Sequence, residues 1–291
     1  LVWCSLTAES RKKTILYSLL SGIGFAWLVF SYFFLWTAAA AWLACVYLLF
    51  LIWHREDLKN LLISLITIGA VGIAALIPYF IMLSDRSVHI DSIQLLRNTQ
   101  LPDFSSSSLI FGFAVAVGIV VIVWRGAADL RSPQTLFALA FALTPVVLFN
   151  QQVVTGHSLQ PIHYELFIAN YLVLTALALF LSLMIKPTEN RAPFRYILLC
   201  VALVAAAWGV VEAVGSTKRN TPFADLRDLS VPAIKYIGEQ ENISPSLGAV
   251  YASNTGTADF VPTLTTLRPL WTSHSSMAGG MDIAENKRLF Y

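Results

Sequence analysis

Residues Asn150 to Glu165 read NQQVVTGHSLQPIHYE, and they interrupt what is otherwise hydrocarbon. The runs on either side, Gln134–Phe149 and Leu166–Ile185, contain no charged residue. A helix crossing about 30 Å of bilayer core needs about 20 mainly apolar residues. The stretch therefore reads as a connection between two membrane spans. Amides, hydroxyls, two imidazoles and a carboxylate crowded at membrane depth are costly unless they are paired or used.

Working outward, the same charge-free runs recur. Thr14–Phe33 and Phe34–Trp53 are joined by the aromatic junction SYFFLWT (31–37), which suits a tight turn at a bilayer interface. After the polar loop HREDLK (54–59) come Asn60–Leu83, a polar segment over 84–107, Ser108–Trp124, the loop RGAADLRSP (125–133) and Gln134–Phe149. Beyond Leu166–Ile185 and the loop KPTENRAPFR (186–195), Tyr196–Val211 reads as a further span. Within 84–107, Ile90, Ile93 and Leu96 at three-residue spacing predict a short interfacial helix. Pro145 removes a hydrogen bond to the Phe141 carbonyl and predicts a kink just before Asn150.

Composition agrees. The 291 residues are 57% hydrophobic and 12% charged, with mean hydropathy +0.68; a soluble domain carries about 25% charge. A net charge of +2, with basic residues scattered, gives no nucleic-acid footprint. Cys4, Cys45 and Cys200 have no disulfide or metal-thiolate spacing and read as inert thiols. The opening LVWCSLTAESRKK lacks the order of a signal peptide, because its charges follow the apolar piece. With Leu1 in place of Met and no evident stop signal at Tyr291, the reading is of part of a longer protein.

From Gly215 charge, Pro and Ser rise. SVPAIKYIGEQ predicts a helix, LGAVYAS a strand, TADFVPTLT a helix carrying Pro262, and LRPLW a second strand. The fold expected is a mainly α, polytopic helical membrane bundle of about seven spans over 1–214, then a small, incomplete α/β domain over 215–291. Arg11, Lys12, Lys13, Arg55, Lys59, Arg125, Arg131, Lys186, Arg191 and Arg195 fall on one side of the membrane; the short loops opposite carry Arg86 and Arg97. By the positive-inside rule the N-terminus is cytoplasmic. The aromatic turn, the 84–107 segment, the Asn150–Glu165 loop and the terminal domain then share the extracytoplasmic side and could build one site.

Gln151, Gln152 and Gln160 offer amide donors and acceptors there, and Thr155-Gly156 suits a tight turn. His157 and His163 can donate to a phosphate, and Tyr164 can stack on a sugar ring. The same side chains would equally cap two helix ends. His157, His163 and Glu165 could together bind a metal, but their spacing matches no helical ligand pair, so no metal site is assigned. The 84–107 segment carries Asp85, Asp91 and Asp103, and Asp85 and Asp91 are the candidates for a general base or ligand for a divalent cation. Arg86 or Arg97 could hold a lipid phosphate, and Asp91 could instead be a helix cap.

Three stretches, SYFFLWTA (31–38), NQQVVTGHSLQPIHY (150–164) and GAVYASNTGTADFVPTLT (248–265), resemble in layout the C-terminal half of bacterial polytopic proteins grouped with the GT-C-fold glycosyltransferases. The resemblance implies sugar transfer involving a polyprenyl-phosphate lipid at the outer membrane face, with His163, Gln160 and Gln152 contacting donor phosphate or sugar. Such proteins usually carry their catalytic carboxylate in the first outer loop. Here Ser31–Thr37 has none, so no catalytic residue carries over. Two other classes stay open, a transporter or flippase and a scaffold whose outer domain binds a partner. Against transport, the spans carry no charge at their centres and show no matched pair of broken helices.

Overall fold

The computed structural model of the chain describes residues 1–54, 57–84, 97–158, 160–184, 192–243, 249–252, 255–270 and 288. It separates into two compact units, Leu1–Arg86 with Leu95–Pro187, and Ser87–Gln94 with Thr188–Tyr291. Asp85, Asp91, Arg86 and the expected interfacial helix at Ile90–Leu96 lie outside the described residues.

In the first unit, α1 (Val2–Leu6), α2 (Arg11–Ser31), α3 (Phe33–Trp53) and α4 (Leu58–Ser84) precede a short strand β1 (Arg97–Asn98). Then come α5 (Ser107–Trp124), α6 (Pro133–Asn150), the one-turn helix α7 (Gln152–Thr155), β2 (His157–Ser158), the one-turn helix α8 (Pro161–Tyr164), a π-helical turn (Glu165–Ala169) and α9 (Asn170–Met184). Hydroxyls start the long helices. Ser10, Ser106 and Ser132 accept from the backbone N–H three residues on, and Pro133 fills the first position of α6, where no N–H is needed. One extended residue, Tyr32, turns α2 into α3.

Six helices have the length and apolarity to cross a membrane among the described residues: α2, α3, α4, α5, α6 through α7 (Pro133–Thr155), and α8 through α9 (Pro161–Met184). The chain is thus built as a helical membrane protein. Large apolar side chains such as Trp27, Ile66 and Phe113 are well over half exposed on outer faces, where lipid is the solvent. The separate seventh span expected at Tyr196–Val211 is instead part of α10 (Ala192–Ile243), one unbroken helix of 52 residues. At 1.5 Å per residue it extends about 78 Å, well beyond a bilayer core.

The packing has a centre and two wings. α3 lies against α6; α2 and α4 pack together beside α3, and α5 and α9 pair with each other beside α6. α6 is the most enclosed helix, with Leu136, Ala138, Ala140 and Ala142 fully buried. Small residues let backbones approach. A Cβ placed on Gly112 of α5 would sit 2.5 Å from the Ala142 carbonyl oxygen of α6.

A buried hydroxyl network ties α1 to α2, α3 and α4. The Ser64 hydroxyl oxygen is 2.9 Å from that of Ser5, 3.0 Å from that of Ser18 and 2.7 Å from that of Tyr47. Counting protons fixes the directions, since each hydroxyl donates once. Ser5 gives its proton to the Val2 carbonyl, so it must accept from Ser64; Ser64 then accepts from both Ser18 and Tyr47. Every member is satisfied.

The second unit holds α10, β3 (Ala249–Val250), α11 (Thr255–Leu264) and β4 (Arg268–Pro269). β3 and β4 pair in parallel with α11 between them, a small β–α–β unit. Ile234, Val261 and Leu267 form its buried cluster. Among the described residues SVPAIKYIGEQ lies in α10, β3 falls within LGAVYAS, α11 covers most of TADFVPTLT with Pro262 inside it, and β4 falls within LRPLW. The composition shift at Gly215 coincides with no break in α10, and the two units part at Pro187/Thr188.

Candidate functional site at the loop end of the bundle

The six spanning helices alternate in direction, so one end of the bundle gathers the Tyr32 junction, residues 97–106 and the Asn150–Glu165 connection. They are in contact. β1 and β2 pair antiparallel, Arg97 opposite Ser158 and Asn98 opposite His157, and Thr99 N–H donates to Gly156 O at 3.0 Å. Gly156, at φ 76°, makes the turn that Thr155-Gly156 predicts; a side chain there would be strained.

Most of the loop's polar groups hold the loop itself together. Asn150 Oδ1 accepts from Asp103 N–H at 2.8 Å, and its Nδ2 donates to Asp103 O at 3.0 Å and Val146 O at 3.1 Å. The buried Gln152 donates to Phe149 O at 2.7 Å and Leu101 O at 3.2 Å. Gln151 donates to His157 O at 2.7 Å and accepts from the Thr155 hydroxyl at 2.7 Å. Both amide hydrogens of Gln152 and one of Gln151 are therefore spent on backbone carbonyls. Tyr164 is 1% exposed, its hydroxyl 2.8 Å from that of Thr37 and its ring edge-on to Phe34. His157 is exposed on β2.

His163 is placed differently. Its ring stacks on Phe34, centroids 4.7 Å apart and planes 19° apart, and lies tilted beside Phe167 at 6.1 Å. Its Nδ1 is buried and has no hydrogen-bond partner among the described residues. A buried polar atom left unsatisfied costs about 1–3 kcal/mol and calls for a reason. The segment that presents it is also unusual. Gln160 is the only non-glycine residue at positive φ (34°) among those described, immediately before Pro161, and the π-helical turn follows Tyr164. Both features are disfavoured and recur at functional sites.

Glu165, which opens that π turn, is clamped by the start of α5. Its two oxygens accept from the hydroxyls of Ser106, Ser107 and Ser108, the last at 2.8 Å, and from Ser108 N–H at 3.2 Å. Four donors fill the carboxylate, which also faces the positive end of the α5 dipole. The tract of consecutive serines at 105–108 is the signal that could have pointed to it. Among the described residues no three His, Cys, Asp or Glu side chains converge on a metal-sized space, so His157, His163 and Glu165 are not gathered together.

Below the clamp, α5 and α9 leave an apolar crevice of about 590 Å³. Phe111, Val173 and Leu177 line it, and Ser108 and Asn170 stand at its loop end. The arrangement can admit a hydrocarbon chain from the side while a polar head rests at the bundle end. No protein-family model, no curated protein and no solved structure matches the chain.

Proposed function

We propose that the chain is the membrane-embedded part of a glycosyltransferase-like protein that engages a polyprenyl-phosphate-linked sugar, with the loop end of the bundle facing outward. The observation that carries this reading is His163. In a loop where Gln151 and Gln152 donate to backbone carbonyls, its imidazole keeps a buried nitrogen without a partner among the described residues. An imidazole is a natural partner for a phosphate oxygen.

The crevice between α5 and α9 supports the same reading, because it offers an apolar path from the bilayer to that end. Exposed Arg11, Lys12, Lys13, Arg125 and Arg131 at the opposite end support the outward orientation. Glu165 is fully occupied by its four donors, so the base for transfer belongs elsewhere, with Asp85 and Asp91 the acidic candidates on the preceding segment.

The test is reconstitution of the full-length protein in lipid nanodiscs with a polyprenyl-phosphate sugar, measuring binding by native mass spectrometry and release of labelled sugar. Binding that is lost in His163→Ala supports the proposal. No binding, or binding unaffected by that substitution, overturns it.

A further inference from the structure

The crevice between α5 and α9 has a polar end and a closed end. Both helices run away from the loop end of the bundle, so Ser108 and Asn170 stand at the top of the crevice and Phe180 at its bottom. Ser108 and Asn170 are the polar residues that line it, and the Ser108 hydroxyl is already given to Glu165. Asn170 is exposed, and its amide makes no hydrogen bond among the described residues. Yet it lies inside the Pro161–Met184 span, about 14 Å along the helix from Pro161. An amide without a partner at that depth is costly, and an occupant that brings an oxygen to its level removes the cost.

The bottom is shut by a close contact. A Cβ placed on Gly118 of α5 would lie 3.0 Å from the Phe180 ring, so the ring rests on the α5 backbone and fills the gap between the helices. From Asn170 to Phe180 the crevice runs about 15 Å at 1.5 Å per residue. An extended carbon chain advances about 1.2 Å per bond. About 12 bonds therefore fill that length, or about three isoprene units of four main-chain bonds each. Phe111 and Leu174, which line the crevice, are more than half exposed on faces where lipid is the solvent, so a longer chain can turn out into the bilayer above Phe180.

We infer that the protein recognises only the head-proximal part of its lipid, about three isoprene units lying between Asn170 and Phe180, and that Phe180 sets this length. This rests on the polyprenyl-phosphate reading and specifies which part of the chain is held. Units beyond Phe180 exchange one apolar surrounding for another, because lipid tails are as apolar as the helices, and they add nothing to binding.

Two substitutions move the limit in opposite directions. Phe180→Ala opens the closed end. Leu177→Trp, at an exposed lining position, raises the floor by three residues, about 4.5 Å and so about one isoprene unit; it stands alone as the test if loss of the Phe180 ring unfolds the bundle. The full-length protein is reconstituted in lipid nanodiscs. Polyprenyl phosphates of one to six isoprene units, each at the same mole fraction in the bilayer, compete with a labelled long-chain polyprenyl phosphate, read by native mass spectrometry. In the wild type, competition is expected to strengthen up to about three units and then level off. The levelling point should come about one unit later in Phe180→Ala and about one unit earlier in Leu177→Trp. Asn170→Leu should weaken every length alike, by about fivefold, because it acts on the head end. Competition that keeps strengthening beyond three units in the wild type overturns the inference and leaves the polyprenyl reading in place. So does a levelling point that Leu177→Trp does not move, or an Asn170→Leu variant that binds every length as the wild type does. Absence of binding at every length removes both.

Discussion

The imidazole of His163 lies nearly parallel to the ring of Phe34, 4.7 Å between centroids, at the point where α8 meets the first turn of α3. The contact is aromatic, yet the ring's buried Nδ1 has no partner among the described residues. His163→Phe keeps the stack and deletes the unsatisfied atom, so thermal stability should hold or rise by up to about 1–3 kcal/mol, while binding of a phosphate-bearing lipid is lost. Gln152→Ala should do the reverse. It leaves the Phe149 and Leu101 carbonyls without their donor and costs about 1–3 kcal/mol, with any binding defect no larger than the stability defect. Thermal unfolding and ligand binding on both variants separate the roles; parallel losses in His163→Phe would return that residue to a packing role.

Glu165 and the α5 serines make a second prediction. Glu165→Gln replaces an acceptor-only group with one bearing an N–H₂. Serine hydroxyls can rotate to accept from it and its remaining oxygen can still accept from Ser108 N–H, so what is lost is the negative charge that strengthens these bonds at the positive end of α5. The expected loss is about 1–3 kcal/mol, read by thermal unfolding, together with faster proteolysis between residues 97 and 107. Glu165→Ala should cost more, because it abandons all three hydroxyls.

The spans were legible because their limits are written in charge. Trp53 to His54 and Trp124 to Arg125 are sharp polarity changes, and the structure ends α3 and α5 there. Thr155-Gly156 was legible as a turn for a local reason, since only glycine takes φ 76° without strain. The elements over 230–271 were legible from short apolar runs set between turn residues. The clamp was not, because Glu165 meets serines 57 to 59 positions away and no local pattern encodes that pairing. The amides misled for the same reason: their type announces hydrogen bonding, while the partner of Asn150 is the backbone of Asp103, 47 residues earlier. Tyr196–Val211 read as a separate span because apolarity ends near Glu212, whereas the helix continues through charged residues to Ile243.

Close approach of α5 to α6 gives a third prediction. Gly112→Ala puts a methyl 2.5 Å from the Ala142 carbonyl oxygen, which is backbone and cannot rotate away. The helices must separate, at about 1–3 kcal/mol for overpacking. Gly24→Ala is the control, with nothing within 4 Å of the added carbon, and should gain up to about 1 kcal/mol of helix propensity. A Gly112→Ala protein as stable as the wild type would mean that the two helices pack less closely.

Orientation is open to direct labelling. Cys4 is half-buried, Cys45 buried and Cys200 exposed, so a Cys200→Ser background should be quiet to a membrane-impermeant thiol reagent. Cysteine at Val154 is then expected to label from outside the cell and cysteine at Ala127 only after the membrane is opened. The opposite pattern would invert the bundle and remove the outward site.

Ser64 is the junction of the buried hydroxyl network, and its removal strands three partners at once. Ser64→Ala takes the acceptor from Ser18 and Tyr47 and the donor from Ser5, while Ser5 keeps its bond to the Val2 carbonyl. Interhelical hydrogen bonds in membrane proteins average about 0.6 kcal/mol each, so the loss should total about 2 kcal/mol. Ser18→Ala removes a single donor and should cost about a third as much. Tyr47→Phe also removes one donor, but leaves the ring in the core against which α1 packs. Measured by unfolding in the same detergent, a Ser64→Ala loss near the sum of the Ser18→Ala and Tyr47→Phe losses plus one further bond supports the proton assignment. A loss no larger than either single change would mean that the four hydroxyls do not act as one network and that α1 is held by its apolar packing, the Trp3–Phe137 contact included.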